Sequence, residues 1–322
     1  MFKKGIAFLL IAGFVMFGFT AVAQAEWPDR PISMIVAYPP GGATDFQARI
    51  ATMLAANEEF LGAPIVIINR AGAGGQVGWN WMIERGSKDG YTMTAYNVPH
   101  FIAQSIVYDT RYDIHKFEAV ANWGADPAVL IVPKDSPYQT LEELLVYGRA
   151  NPGRVTVNGA GMFVGHHIAA LQMAEACDVE LTYIPEAGGV PAMQSVIGGH
   201  VISGFNNLSD AFRAQDRVTV LAVADLERHE FLPDVPTFKE LGYDVDDSSV
   251  NFRGVAFPKG VPQEVIDKAA EAFPKMFDAP RTQKQMRETG SPVRTMGRDE
   301  VTRMFEERNA FLSELLKDLV QK

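Results

Sequence analysis

Two glycine-rich turns carry the residues of this chain whose types and spacing bear most directly on chemistry. Pro39-Pro40-Gly41-Gly42-Ala43-Thr44-Asp45 follows a strand-forming run ending at Val36 and precedes a helical pattern; Gly72-Ala73-Gly74-Gly75 does the same after a run ending at Asn69. Glycine lets the backbone turn sharply and brings N–H groups close to a ligand. A helix start adds unpaired N–H donors and a positive partial charge. Two such turns side by side at the carboxyl ends of parallel strands make a cradle for a small anion. On spacing alone that reading stands level with a plainer one, two strand-to-helix turns with Thr44 or Asp45 as an ordinary helix cap.

The familiar catalytic signatures are missing. Gly72-Ala73-Gly74-Gly75-Gln76-Val77-Gly78 puts valine where a dinucleotide loop needs its third glycine, and Gly159-Ala160-Gly161-Met162-Phe163-Val164-Gly165 has that glycine one residue late. No phosphate-binding G-x-x-x-x-G-K-[ST] occurs, and no serine sits in a G-x-S-x-G elbow. The neighbours His166 and His167 diverge in either helix or strand, and His100, His115, His200 and His229 form no metal-binding spacing. Cys177, beside Ala174, Ala176 and Val179, reads as a buried free thiol.

These residues must be positioned by alternating strands and helices. Runs rich in Val, Ile and Thr at 32–36, 65–69, 92–96, 128–132, 155–158, 181–184 and 219–223 read as strands. Several are apolar throughout, as in a sheet covered on both faces. Helical patterns fall at 45–56, 76–85, 141–150, 167–176 and 192–197. Thr140 and Glu143 form a capping box, and Pro191 and Pro262 suit first helical positions. A final helix over 299–320 repeats Val301, Met304, Phe305, Phe311, Leu312, Leu315, Leu316 and Leu319 on one face. The alternation implies an α/β fold with mainly parallel sheets, and no linker or repeat marks a boundary.

Composition narrows the class. The 322 residues are 47% hydrophobic and 21% charged with one cysteine, which excludes disordered, fibrous and disulfide-scaffold chains and suits two domains. Lys3 and Lys4, an apolar run over 5–19 and Ala23-Gln24-Ala25 read as a signal peptide cleaved after Ala25; an uncleaved anchor would need about 20 apolar residues. Cleavage takes the net charge from −10 to −12 by removing the two lysines. No basic patch marks a nucleic-acid or anionic-membrane binder. No cofactor or metal is called for.

The ordered set of motifs resembles a known family. Trp27-Pro28-Asp29-Arg30-Pro31-Ile32, the two turns, Asp89-Gly90-Tyr91-Thr92, Leu130-Ile131-Val132-Pro133 and Tyr183-Ile184-Pro185 come in sequence. They continue through Ile197-Gly198-Gly199-His200-Val201, Leu232-Pro233-Asp234-Val235-Pro236-Thr237-Phe238 and Arg253-Gly254-Val255-Ala256-Phe257-Pro258. This resembles the substrate-binding receptors of tripartite tricarboxylate transporters, the Bug family, over essentially the whole mature chain. The resemblance implies a two-lobed, type II-like Venus-flytrap periplasmic binding fold. Lobe 1 would comprise 26–126 plus 251–322 and lobe 2 would comprise 127–250, with crossings near 123–127 and 250–253. It further implies a monomeric receptor that captures a small carboxylate between the lobes and hands it to a membrane permease.

The ligand contacts so implied are Tyr38, Gly42, Ala43, Thr44 and Asp45 in one turn and Ala73, Gly74 and Gly75 in the other, chiefly through main-chain N–H groups. Relatives place Ser or Thr just before a histidine in the second lobe, where this chain has Met162, Phe163 and Val164. Backbone N–H groups of Phe163, Val164 and Gly165 remain available there, and Tyr183, Ala187, Gly188 and Asn206 are further candidates. Met162 and Phe163 read equally well as core. Tyr96 and Asn97 complete the set, and a wall of Tyr96, Met162 and Phe163 would suit a ligand with an apolar or aromatic body. Two other readings stay open: an exported sensor that presents its ligand to a signalling partner, and an exported enzyme on small acids with His100 or His167 as base.

Overall fold

The computed structural model describes residues 26–317. The proposed leader and the end of the last helical pattern, including Leu319, lie outside the described residues. The first sheet has six strands: β1 (Ile32–Val36), β2 (Ile65–Asn69), β3 (Thr92–Val98), β4 (Phe117–Asp126), β10 (Asn251–Pro258) and β11 (Val293–Met296), in the order β11-β4-β10-β3-β1-β2. The second has five: β5 (Ala128–Pro133), β6 (Val155–Gly159), β7 (Leu181–Pro185), β8 (Ser203–Asn207) and β9 (Val218–Ala224), in the order β7-β6-β8-β5-β9.

Both sheets are mixed rather than mainly parallel. β1 pairs parallel with β2 and β3, and β6 with β7 and β8. β10 runs antiparallel to β3 and β4, and β5 antiparallel to β8 and β9. The parallel half of each sheet carries the strand-to-helix turns. The antiparallel half carries the strands by which the chain leaves the first sheet at Asp126 and returns to it at Asn251.

Ten helices cover the sheets among the described residues: α1 (Ala43–Ala51), α2 (Gln76–Arg85), α3 (His100–Val107), α4 (Leu141–Ala150), α5 (Gly165–Ala176), α6 (Gly189–Ile197), α7 (Leu208–Arg213), α8 (Gln263–Asp278), α9 (Pro280–Glu288) and α10 (Arg298–Leu315). The Thr140–Glu143 capping box opens α4. Pro191 is the third residue of α6 rather than the first, because Gly188 and Gly189 start that helix earlier, and Pro262 caps α8 from outside it. On α10, Phe311 and Leu315 are exposed, while Val301, Met304, Phe305 and Leu312 are buried.

Periodicity explains the second core. Leu130 and Val132 of β5 pack with Leu144, Val157, Met173 and Phe205 on one face, while Val129 and Ile131 pack with Val196 and Leu208 on the other. A strand covered on both sides must be apolar throughout, as β5 is. Cys177 is buried among the first of these groups, and burial pushes its thiol up to about 12. No described helix is long and apolar enough to cross a membrane, and no described cluster of His, Cys, Asp and Glu suits a metal ion.

Candidate ligand-binding cleft

Between the two sheets lies a pocket with about 360 Å³ of empty space. Tyr38, Pro39, Gly42, Ala43, Thr44 and His100 line it from the first lobe, Ala160, His166, Gly189, Val190 and Asn207 from the second, and Asn251 at the crossing.

Two helices, α1 and α6, begin at this pocket, and a third, α5, brings its second residue, His166, to it. Gly42 is the N-cap of α1, Gly188 of α6 and Val164 of α5, and none of the three has a side-chain cap among the described residues. The first turn of each leaves N–H groups without intrahelical acceptors, together with a positive partial charge. Helices α1 and α6, one from each lobe, thus start at one small space.

Side chains add neutral donors. The Thr44 hydroxyl oxygen accepts from Asn97 Nδ2 at 2.8 Å and Arg253 Nε at 3.2 Å, which occupies both lone pairs and leaves its proton to donate. His166 Nδ1 accepts from the Ala160 amide at 3.1 Å, so the neutral ring carries its proton on Nε2 by assignment from this network. That Nε2 is buried without a hydrogen-bond partner, as is Nδ1 of His100. Burial lowers the His166 pKa to about 4 against the opposing effect of the Asn207 side chain. Burial, followed by the charges of His166 and Arg253, holds His100 well below the usual histidine range. The pocket is therefore a set of uncharged donors at neutral pH, and its lining contains no carboxylate.

Beneath it runs a buried ion pair of the first lobe whose hydrogen bonds reach into the second. Arg253 on β10 and Asp126 at the end of β4 are both fully buried and meet at 2.7 Å. Arg253 also donates to Asn207 Oδ1 at 2.6 Å and Gln47 Oε1 at 3.2 Å. Asp126 accepts from the Ser209 amide at 3.1 Å and hydroxyl at 2.5 Å and from Gln47 Nε2 at 3.0 Å. Its carboxylate thereby caps α7 of the second lobe from a strand of the first. Turned with its amide oxygen toward Arg253, Asn251 accepts from Nη2 at 2.7 Å.

The sequence-predicted residues divide into three groups. Tyr38, Gly42, Ala43 and Thr44 line the pocket. A second group supports it from behind. Asn97 holds Thr44, and Asn206 donates to the Gly189 carbonyl at 3.1 Å. Asp45 turns its carboxylate to the Gly41 amide, Arg49 and Asn69. Burial works to raise the Asp45 pKa, but those hydrogen bonds win and hold it below the ordinary value. Gly188 presses against Pro39 as the cap of α6, and Ala187 is exposed beside it.

The third group faces elsewhere. Tyr96 is core: its hydroxyl donates to Asn122 at 2.8 Å and its ring packs on Phe305 at 4.9 Å. The second turn meets the other lobe rather than the pocket: the Gly75 amide is taken by the Gly72 carbonyl, and a Cβ on Gly161 would sit 3.1 Å from Gly74 Cα. Ala73 belongs to the same turn, at φ +47°. Met162, Phe163 and Val164 are buried or half-buried outside the lining, and Gly165 packs against the Ser249 carbonyl. Tyr183 donates to the Gly161 carbonyl at 2.9 Å and stacks on His167. The expected wall of Tyr96, Met162 and Phe163 does not form, so the inference of an aromatic ligand loses its basis. The reading missed Asn207, Asn251, Gly189, Val190, Ala160 and His166, and with them Arg253. An arginine inside the strand-like run Asn251-Phe252-Arg253-Gly254-Val255 was the one signal that called for a buried partner.

Buried neutral histidines make stability depend on pH. His167, whose Nδ1 accepts from the Phe163 amide, is also lowered to about 4 by burial. Unfolded, both rings titrate near 6.5, so between 6.5 and 4 the unfolded chain binds more protons. Their contribution is whole above pH 6.5 and drains away as pH falls toward 4, reaching about 2 kcal/mol lost per ring at pH 5. Urea midpoints at pH 7 and pH 5 should show this, and His167→Gln should narrow the gap; an unchanged gap removes His167 from the account.

Comparison with known proteins agrees with this architecture. The model of the family described as the tripartite tricarboxylate transporter family receptor, TctC, matches residues 49–320. A protein of Cupriavidus necator, described as a UPF0065 protein in the gbd 5' region, is 33% identical over 268 residues, 81% of this chain and 79% of its own. The structure of periplasmic binding protein BugD superposes with a TM-score of 0.83 at 27% identity, covering 91% of this chain and 98% of that one. MatC from Rhodopseudomonas palustris with bound malate gives 0.80 at 26% identity, covering 91% and 100%. The chain belongs to the tripartite tricarboxylate transporter receptor family.

Proposed function

We propose that this chain is a periplasmic receptor that captures a small carboxylate between lobes 26–126 with 251–322 and 127–250, and delivers it to a membrane permease without transforming it. The observation that carries this reading is the meeting of two uncapped helix starts, α1 from the first lobe and α6 from the second, with the donors of Thr44 and His166 in one pocket. A carboxylate accepts from several of these groups at once, and each charge-assisted bond is worth about 1.5–3 kcal/mol. Three or four of them, after the costs of association, give a micromolar constant near about −8 kcal/mol. A net charge of −12 after leader removal does not oppose this, because remote acidic side chains are screened beyond about 8 Å. The narrow interior favours a short acid, and MatC, a relative of the same fold, holds malate.

A thermal-shift panel of L-malate, succinate, citrate and benzoate tests the reading. A true ligand at 100 times its Kd adds about 2.7 kcal/mol and raises the midpoint by several degrees. Calorimetry should then give one site per chain and chromatography no product. A panel in which no acid shifts the midpoint, or one in which a bound acid is turned over, would defeat the proposal.

A further inference from the structure

The segment of the second lobe that departs from its relatives does not touch the pocket, and what it touches instead assigns it a different task. Gln104 of α3 is fully buried. Its Nε2 donates to the Gly74 carbonyl at 3.2 Å, within its own lobe, and to the Met162 carbonyl of the other lobe at 3.0 Å. Two carbonyls require the NH₂ end, so the amide orientation is fixed, and Tyr112 donates to the remaining oxygen at 3.2 Å. The Gly74 carbonyl also accepts from the Tyr38 hydroxyl at 2.7 Å. Gly74 lies at φ +65°, which glycine adopts freely, and the strain in this turn falls on its neighbour Ala73 at φ +47°.

Two further contacts flank the amide. Gly74 and Gly161 pass backbone to backbone with no room for a side chain between them. Phe163, held at φ +53° with its amide donated to His167, lays its ring edge-on to Tyr108 of the first lobe, 5.5 Å between centroids. Residues 161–163 therefore face the first lobe.

We propose that Gln104 is a positioning residue that latches closure: one amide hydrogen supports the Gly74 peptide while the other takes the Met162 carbonyl as the lobes meet, with Phe163 on Tyr108 as its apolar half. The purpose of closure rests on the receptor reading above, but the latch itself is tested without ligand. Dyes on cysteines introduced at the exposed Val77 and Val146, one in each lobe, report the closed-to-open ratio by energy transfer, and Cys177 is too buried to label. Gln104→Met removes both donors while keeping shape and helix preference. It should lower the ligand-free ratio about tenfold, the effect of losing one hydrogen bond between the lobes, and lower the thermal midpoint by a few degrees because the Gly74 carbonyl and the Tyr112 hydroxyl lose a buried partner. With L-malate as probe, dissociation should quicken about tenfold at an unchanged association rate, a split that simple destabilisation does not produce. Should this variant fail to fold, Tyr108→Ala at the rim should lower the ratio severalfold. An unchanged ratio in a folded Gln104→Met or Tyr108→Ala protein overturns the latch. A lowered ratio without malate binding supports the latch and counts only against malate as the ligand.

Discussion

Arg253→Met should lower the thermal midpoint by about 10 °C. The guanidinium is fully buried and serves Asp126, Asn207, Gln47 and Thr44 together. Methionine fills much of its volume but leaves Asp126 with an uncompensated charge away from water. Breaking a buried pair from one side costs about 3–5 kcal/mol. A chain of this length shifts by roughly 2–4 °C per kcal/mol, which gives the midpoint quoted. Asp126→Leu should cost at least as much, since it also uncaps α7 at Ser209. The double variant should cost less than the sum of the two, because no charge remains to strand, and the shortfall measures the coupling. Differential scanning of the four proteins checks this. A loss under about 2 °C in Arg253→Met would mean that water reaches Asp126 and that the crossing is not held as the geometry indicates. The pair sits where the chain passes between sheets, so the same variants should also loosen closure.

The parts of this fold legible in the sequence are those in which one segment settles its own structure. β1, β2, α2 and α4 have the predicted limits because apolar periodicity and capping are local properties. β8 was missed since Ser203-Gly204-Phe205-Asn206-Asn207 has one large apolar residue, yet it lies at the middle of its sheet. Its glycine is needed there: a Cβ at Gly204 would lie 2.2 Å from Asn158 Oδ1 and 2.7 Å from Val196, a constraint visible only once strands and helix are assembled. β10 was hidden by Arg253, whose burial is tolerable only with Asp126, 127 positions away. The first turn was legible as an anion site because helix start and glycines are adjacent in the chain. The donors from the second lobe were not, because His166, Gly189 and Asn207 reach the pocket from three separate elements.

Gly42→Val should raise the Kd for the bound acid at least about 100-fold, close to 2.7 kcal/mol, while leaving the fold nearly as stable as before. Gly42 has φ −75° and ψ 167°, which any residue adopts, and a Cβ there meets nothing nearer than 3.9 Å. Folding therefore tolerates the side chain. Its neighbours at that distance are the Pro39 carbonyl and Val190 of the opposite lobe, so the added methyls stand over the open end of α1 and between the lobes. Both the amides and the closure that confines the ligand are blocked. Gly74→Val should behave differently: at φ +65°, with its Cβ 2.4 Å from Gln104 Nε2, it should lose stability together with affinity. Arg70→Ala should leave affinity within about twofold, because that guanidinium lies 3.9 Å over the ring of Trp81 and outside the pocket lining, where solvent screening leaves its charge little reach. Calorimetry with the ligand from the thermal-shift panel, read beside each variant's midpoint, separates the cases. If Arg70→Ala weakens binding more than Gly42→Val does, then a side-chain charge holds the acid and the open helix ends do not. The order of these two constants decides the matter because one variant removes a charge and keeps every pocket amide, while the other keeps every charge and covers the amides.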